Sequence, residues 1–419
     1  MPTLALHAAF LATCLSLSSP APARTWIVDA AGGAGSDFRA IQAAVDAAVD
    51  GDAILIRSGT YVETVLIDGK GLTISGLGGF LLVPPAISAA NPAVFEVRNL
   101  PAGREAHFRG FGVLRLSGVS GDAFVLRDNT GRVWCEELSL DSYDGPALRI
   151  DGCAEVLLRN VFAQSNAAIL DASGVPSPAP GAVIERSLHV ELSGGEVRGS
   201  HGPPLRFTPT APIEGGTGLV VRDAAVALSS CQLQGGPGGS VLVGSCRSAA
   251  RGGSGLIVGA PRGRTTEVTT RAVRITAGRS GARDPLCAAD PGQAPAIDDP
   301  QGFVRALAGL PRRLLWPTRT DLEGNFQHEI QGAPFDLVLA LVSLDTQVAQ
   351  RFAEIDGALW IPLASSFVAF TGRLDENGRA RASARFVAPG EPIHLRAQVL
   401  LLDTTGALWL SNPGTILLR

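Results

Sequence analysis

The chain has 419 residues, 18% of them charged, a formal net charge of −4, 50 Gly and 28 Pro. No basic run or stripe is present, which argues against a nucleic-acid partner. The length admits two or three domains, and the small-residue, turn-rich composition favours a β architecture over a helical one.

The first element is an apolar run from Leu4 to Ser19, too short to span a bilayer and followed by the A-x-A site Ala21-Pro22-Ala23. It reads as a signal peptide over residues 1–23, cleaved after Ala23, which sends the protein outside the cell or to its surface. The n-region lacks Lys and Arg, and a lipobox ending at Cys14 is the alternative, with Thr13 a poor fit before the cysteine. No later segment is continuously apolar enough for a membrane span in the mature chain. Next, Ile41, Ala44, Val45, Ala48 and Val49 fall on one stripe and predict a helix over 37–49, capped by Ser36 or Asp37 and stopped by Gly51. Lys70 is the only lysine, and the preference for Arg reads as a compositional habit.

Short strands follow, among them "AILIR", "LTIS", "FVL", "ALRI", "EVLL", "LHVEL", "GLVV" and "GLIV". Asp128, Asp151 and Asp223 each follow a strand, and the steps from 128 to 151 and from 151 to 223 are one and three periods of roughly 24 residues. Phe124, Ala147 and Leu219 keep the same phase, as do Val133, Val156 and Leu228, and Leu138, Val161 and Leu233. "GTGLVV" at Gly216 is echoed by "GSGLIV" at Gly253, while "DASGVPSPAPGA" reads as an inserted loop. Such a repeat describes a solenoid, because one rung cannot bury its apolar face and stacked rungs can. The solenoid is expected over 24–280, a Pro/Ala/Asp-rich linker over 281–302, and an antiparallel β-sandwich over 303–419 with hairpin turns at "DENG" and "DTTG".

The stretch from Asp37 to Gly76 closely resembles the N-terminal signature of the pectin lyase-like, right-handed parallel β-helix superfamily. Its helix precedes a G-x-Y-x-E turn matched here by Gly59, Tyr61 and Glu63. The rung-like pattern extends to about Gly278, and the C-terminal strands are similar to the small β-domain that often follows such repeats. The resemblance implies an all-β parallel β-helix and association with carbohydrate. It also supplies catalytic motifs to look for, and they are missing. The pectin methylesterase segments are absent, and Asn129-Thr130, His201-Gly202 and Asp298-Asp299 only fragment the polygalacturonase set. "RVWCEEL" merely echoes the pectate lyase segment.

Candidate site residues are therefore weighed on their own chemistry. Asp128 and Asp151, with Arg149, form the candidate catalytic set, since carboxylates on adjacent rungs stack close enough for glycoside hydrolysis. Arg127 would join in binding a uronic acid. The same aspartates could hold calcium if the protein were a lyase, and otherwise they are Asx-turn residues. Trp134, Glu137, Asp141 and Tyr143 form a candidate sugar platform, in a cluster with Glu136 and Asp144 that equally describes a solvated rung edge. His189 and Glu191 share a strand face and could work as acid and base or as a surface ladder. Glu63 reads as a cap of the first turn rather than a ligand. Cys231 and Cys246 are the candidate disulfide among five mature cysteines, and no zinc-ligand spacing or other cofactor signal is present. The expectation is an exported protein binding a polysaccharide or another cell-surface component. The alternative is a lyase or glycoside hydrolase with a divergent site. The oligomeric state is not legible.

Overall fold

The computed structural model of the chain describes residues 24–85, 93–116, 121–143, 145–166, 169–170, 176–202, 213–240, 249–259, 266–282, 292–307, 313–315, 325–343, 350–351, 355–356, 358–359, 366–385, 393–411 and 414–418. The expected signal segment and cleavage point, with Cys14, Asp144, Cys246 and Cys287, lie outside these residues.

Thr25–Val28 pairs in parallel with Ala53–Val62, which pairs with the long strand Thr73–Val83. From that strand two stacks diverge. The first sheet continues through Glu105–Arg109, Arg132–Glu136, Glu155–Arg159, His189–Ser193, Ala225–Ser229, Glu267–Arg271 and Val304–Ala306. The second runs through Gly112–Arg115, Ser139–Ser142, Phe162–Ser165, Glu196–Arg198, Gln232–Gln234 and Arg274–Thr276. A third sheet stacks Val65–Asp68, Ala93–Arg98, Asp122–Arg127, Leu148–Asp151, Ala182–Glu185, Leu219–Arg222, Leu256–Val258 and Ile297–Asp298. The chain visits the three in turn and advances one strand per circuit, always in parallel. The expected parallel β-helix is therefore present.

Alternation within each strand points one set of side chains inward. Val65, Phe95, Phe124, Leu148, Ala182, Leu219 and Leu256 form one such column, and Ala106, Val133, Val156, Val190, Val226 and Val268 another. The N-terminal coils are filled by rings. Phe95 stacks on Phe124 with centroids 5.0 Å apart, and Phe80 on Phe111 at 4.7 Å. Later coils are filled by aliphatic side chains in the same continuous core.

Corners are left-handed. Between third and first sheets Asn99, Asp128, Arg186 and Asp223 all have φ near +50°, and between first and second Glu137, Asn160, Ser230 and Ala272 do too. Asn99, Asp128, Glu137, Asn160, Arg186 and Ser230 donate their backbone N–H to a carbonyl of the next coil, as Asp128 does to Asp151 and Glu137 to Arg159 (both 2.9 Å), and Asp223 donates to the Thr266 hydroxyl. These stacked bonds offset the cost of positive φ in residues with a Cβ. Asn129, fully buried beside such a corner, accepts from Leu100 N–H and donates to the Val97 carbonyl.

The fixed period holds only for early coils. Val133 does pair with Val156, but the next partners are Val190 and Val226 rather than Leu228, and Phe124 pairs with Leu148 rather than Ala147. Hydrogen-bonded partners one coil apart are 23 residues apart at Arg132–Glu155 and 43 at Asp223–Thr266. The growth comes from arms inserted between second and third sheets. In these arms Ser200 O accepts from Gly216 N–H, Gly216 O from Gly236, Gly236 O from Gly253, and Gly253 O from Gly278. A Cβ at Gly216, Gly236, Gly253 or Gly278 would overlap a neighbouring backbone oxygen. None of these four has a positive φ. These arm glycines are thus sites of close backbone approach, whereas Gly194 and Gly195, both at positive φ, form a corner between first and second sheets. The echo between Gly216 and Gly253 is real, since Leu219 pairs with Leu256.

The capping helix is Ile41–Ala47, shorter than expected, because Phe38 is still bridged to Val28 and Asp37 accepts from Ile27 N–H. Neither Ser36 nor Asp37 caps it. Glu63 does so instead, its two carboxylate oxygens accepting from Ile41 N–H (2.7 Å) and Gln42 N–H (2.8 Å). Tyr61, 2% exposed, bonds its hydroxyl to Ala30 N–H and the Arg57 carbonyl. Lys70 closes the other end by donating to the carbonyls of Val45, Asp46 and Ala48. That is a structural role for the only lysine.

The coil runs past 280: Ile297–Asp298 and Val304–Ala306 belong to it, so most of the expected linker lies beside or within the last circuits. Beyond it, Arg313–Leu315, Asn325–Gln331 and Arg379–Arg385 form one antiparallel sheet. Leu337–Ser343, Phe367–Arg373, Ile393–Leu402, Leu408–Leu410 and Gly414–Leu418 form another. Ile330 of the first and Val338, Val399 and Leu401 of the second share one core, as the expected sandwich requires. "DTTG" is a hairpin turn, whereas "DENG" carries the chain from one sheet to the other. Arg271 of the coil lies 4.5 Å from the ring centroid of Trp409.

Candidate functional site

The sequence-predicted residues separate onto three faces. Asp128 stands exposed at a corner over Gly152, and Asp151 ends a strand of the third sheet, paired in register with Arg127 and Glu185. The two aspartates are therefore not equivalent positions. Both carboxylate oxygens of Asp151 accept from Arg186, at 2.7 and 2.5 Å. Arg149 pairs with Asp122 at 2.6 Å and Glu185 at 3.8 Å. Burial disfavours its charge, but the Asp122 hydrogen bond and the surrounding carboxylates outweigh that and raise its pKa. Arg127 lies 3.9 Å from Glu96, and Arg98 meets Asp68. Arg149 and Asp151 of the expected catalytic set are part of an ion-pair ladder along the third sheet, with each already facing a partner of opposite charge, while Asp128 stands exposed at the corner.

Trp134, His189 and Glu191 share the outer face of the first sheet. Trp134 is 1% exposed and lies against His107, centroids 5.2 Å apart. Around it Arg132 bridges Glu105 and Glu155, and Arg109 and Arg159 reach Glu136. Farther along, an open hollow of about 320 Å³ lies over Ala225 and Ala227, rimmed by Glu155, Leu188, His189, Glu267 and Thr269. Small side chains on one coil between larger ones on its neighbours create it. Glu155 and Glu267 sit in one row three coils apart, about 14 Å at the strand spacing. Paired glycosidase carboxylates span only about 5–10 Å. Glu137, grouped with Trp134 in the sequence, sits at a corner and pairs with Arg109 at 3.5 Å.

Asp141 belongs to the second sheet and Tyr143 follows it, and here a different surface opens. One outer row runs Leu81, Gly112, Ser139, Phe162, Glu196, Gln232, Arg274. The next runs Leu114, Asp141, Gln164, Arg198, Gln234, Thr276. The first row has six steps, about 30 Å. Phe162 is 53% exposed and Tyr143 39%. Gln164 donates to Asn166, which donates to Asp141, and Arg198 folds onto Glu196 at 2.5 Å. The arrangement is a regularly spaced surface of five neutral polar and four charged side chains around one large exposed apolar ring, Phe162. Apart from Asp141 and Tyr143, sequence reasoning missed it. The available signal was a repeated triplet after each corner, polar–apolar–polar, as in "SLD", "EVR", "QLQ" and "RIT".

Among the described residues no group of three or more His, Cys, Asp or Glu side chains could hold a metal ion, and no helix is long and apolar enough to cross a membrane. The expected Cys231–Cys246 pair is not formed at Cys231, a free thiol buried in the coil interior.

No family model matches the chain, and no curated protein does. Solved structures share its fold at low identity. Tailspike protein 2 from Escherichia coli O157:H7 bacteriophage CAB120 is 9% identical over 89% of this chain and 65% of its own, with a TM-score of 0.32. The chain thus spans less than two thirds of that tailspike. A pectin methylesterase in complex with a hexasaccharide is 13% identical over 68% of this chain and 92% of its own, at 0.34. The A-module of the Azotobacter vinelandii mannuronan C-5 epimerase AlgE4 is 10% identical over 64% and 95%, at 0.25. The three parallel stacks themselves make the chain a parallel β-helix protein, and likeness at these levels adds no function to that.

Proposed function

We propose that this is an exported β-helix protein that binds an extended polysaccharide along the outer face of its second sheet. One observation carries the reading: an outer row with Ser139, Phe162, Gln232 and Arg274 exposed and a half-buried row with Gln164, Gln234 and Thr276 repeat side by side at the coil spacing. Hydroxyl and amide groups both donate and accept, as sugar hydroxyls do, and the Phe162 ring offers an apolar plate for one face of a pyranose. The test is affinity electrophoresis through gels containing polysaccharides, comparing the wild type with Phe162→Ala. Retardation lost in the variant supports the reading, and equal retardation of both sinks it. Export is read from the mature N-terminus, which should be Arg24.

A polysaccharide-active enzyme is the second reading, favoured by the hollow beside His189. The separation of Glu155 from Glu267 weighs against a paired-carboxylate hydrolase there. Release of reducing ends or unsaturated products from a polysaccharide panel, abolished in His189→Ala, would establish it.

A further inference from the structure

We infer that the ligand of the second sheet is an uncharged, hydroxyl-rich glycan and not a polyuronate. The inference rests on reading that sheet as the glycan-binding face. It follows from how charge is distributed over the two outer rows. From Ser139 to Thr276 they hold two cations, Arg198 and Arg274, and two anions, Asp141 and Glu196. Arg198 is already neutralised by Glu196, which accepts from its Nε at 3.1 Å and its Nη2 at 2.5 Å. Arg274 is exposed but stands at the far end of the row. Asp141, in the middle of the sheet, accepts only a long bond (3.3 Å) from Asn166.

A polyuronate carries a carboxylate on every sugar, so a chain laid along this face would meet one guanidinium outside an ion pair, Arg274 at the far end, and one carboxylate, Asp141, in the middle. Each unpaired carboxylate would lose hydration without a compensating cation, which costs more than a neutral hydroxyl does. Gln164, Asn166, Gln232 and Gln234 instead present donors and acceptors that hydroxyl or N-acetyl groups can satisfy at no charge penalty.

The experiment measures binding of the full chain to dextran, hydroxyethyl cellulose and soluble N-acetylated chitin oligomers, and to polygalacturonate and alginate, at low and high salt. At least one uncharged glycan is expected to bind with an affinity that salt leaves unchanged, and Phe162→Ala should weaken it by roughly tenfold or more. Tighter binding of a polyuronate that fades with salt and is lost in Arg274→Gln, yet still depends on Phe162, overturns the inference and leaves the face itself standing. Absence of binding to every glycan, or binding indifferent to Phe162→Ala, overturns the reading of the face and the inference with it.

Discussion

Replacing Gly236 by Ala tests the account of the stacked arms. Gly236 donates to the Gly216 carbonyl at 2.7 Å and accepts from Gly253 N–H at 2.8 Å, so both neighbours are fixed to it. An added Cβ would overlap the Ser200 carbonyl oxygen and come within 2.7 Å of the Gly199 oxygen, both of them backbone atoms with no rotamer to yield. Relief requires the arms to separate. That puts two backbone hydrogen bonds at risk, each about 1 kcal/mol net, and adds an overpacking cost of about 1–3 kcal/mol. The lower entropy of the unfolded Ala chain works the other way and offsets about 0.4–1 kcal/mol of this. The expected loss is about 2–4 kcal/mol. Gly103→Ala is the control: its φ is +80° and nothing lies within 4 Å, so only the left-handed penalty of about 1–2 kcal/mol applies. A solenoid can open locally, so hydrogen exchange at the amides of Gly216, Gly236, Gly253 and Gly278 should accompany the urea midpoint. If Gly236→Ala costs no more than Gly103→Ala and these amides stay protected, close backbone approach is not why glycine stands there.

Glu63→Ala removes both acceptors from Ile41 and Gln42 and should cost about 2–4 kcal/mol, seen as faster exchange at those two amides while the sandwich is unaffected. Burial pushes the Cys153 thiol up to about 11 and Cys231 up to about 12, from 9.0, and Cys135 well above it. The folded state thus favours the protonated thiols. Their contribution is complete below about pH 9 and is lost as pH rises toward 11–12; alkylation at pH 9 should modify them only in denaturant, and modification of the native chain would refute their burial. Asp151→Asn breaks the pair with Arg186, whose side chain is 62% exposed, so stability should fall by no more than about 1 kcal/mol and glycan binding should not change. Loss of a polysaccharide-degrading activity in that variant would restore Asp151 as a catalytic residue.

What could be read beforehand was whatever leaves a run in the sequence. Ile41, Ala44 and Val45 mark the buried stripe of the helix, and Gly59, Tyr61 and Glu63 mark the turn that caps it. Strands of the first and third sheets, such as Ala93–Arg98 and Glu155–Arg159, carry enough apolar residues to be recognised. Those of the second sheet do not. Gln232–Gln234 buries Leu233 alone between two polar residues, too short for alternation to register. Corners were hidden too, since Glu137, Ser230 and Ala272 hold positive φ without glycine, while the arm glycines such as Gly236 serve close backbone approach. Asp128 and Asp151 kept the expected period yet differ by one position in register, because coil length varies. A one-residue slip moves a side chain between strand and corner, and it set Asp128 opposite Gly152 and Asp151 opposite Arg127.

The three faces differ in what they leave for a ligand. On the first sheet the outward Arg132, Trp134, Glu136 and Leu157 are all less than 9% exposed, so the charged and aromatic groups that looked most like a site are out of reach of a polymer. On the third, outward Val125, Val183 and Val220 are buried as well, and the exposed row beyond them is closed by Asp68–Arg98, Asp151–Arg186 and Glu185–Arg222. A polysaccharide would have to break those pairs before making its own bonds. On the second sheet each coil contributes an outward-facing pair of side chains, and most are neutral groups whose water can be exchanged for sugar hydroxyls at little cost. Weak contacts of that kind gain affinity by repetition along a polymer, and a straight stack of coils is a scaffold that repeats them in register.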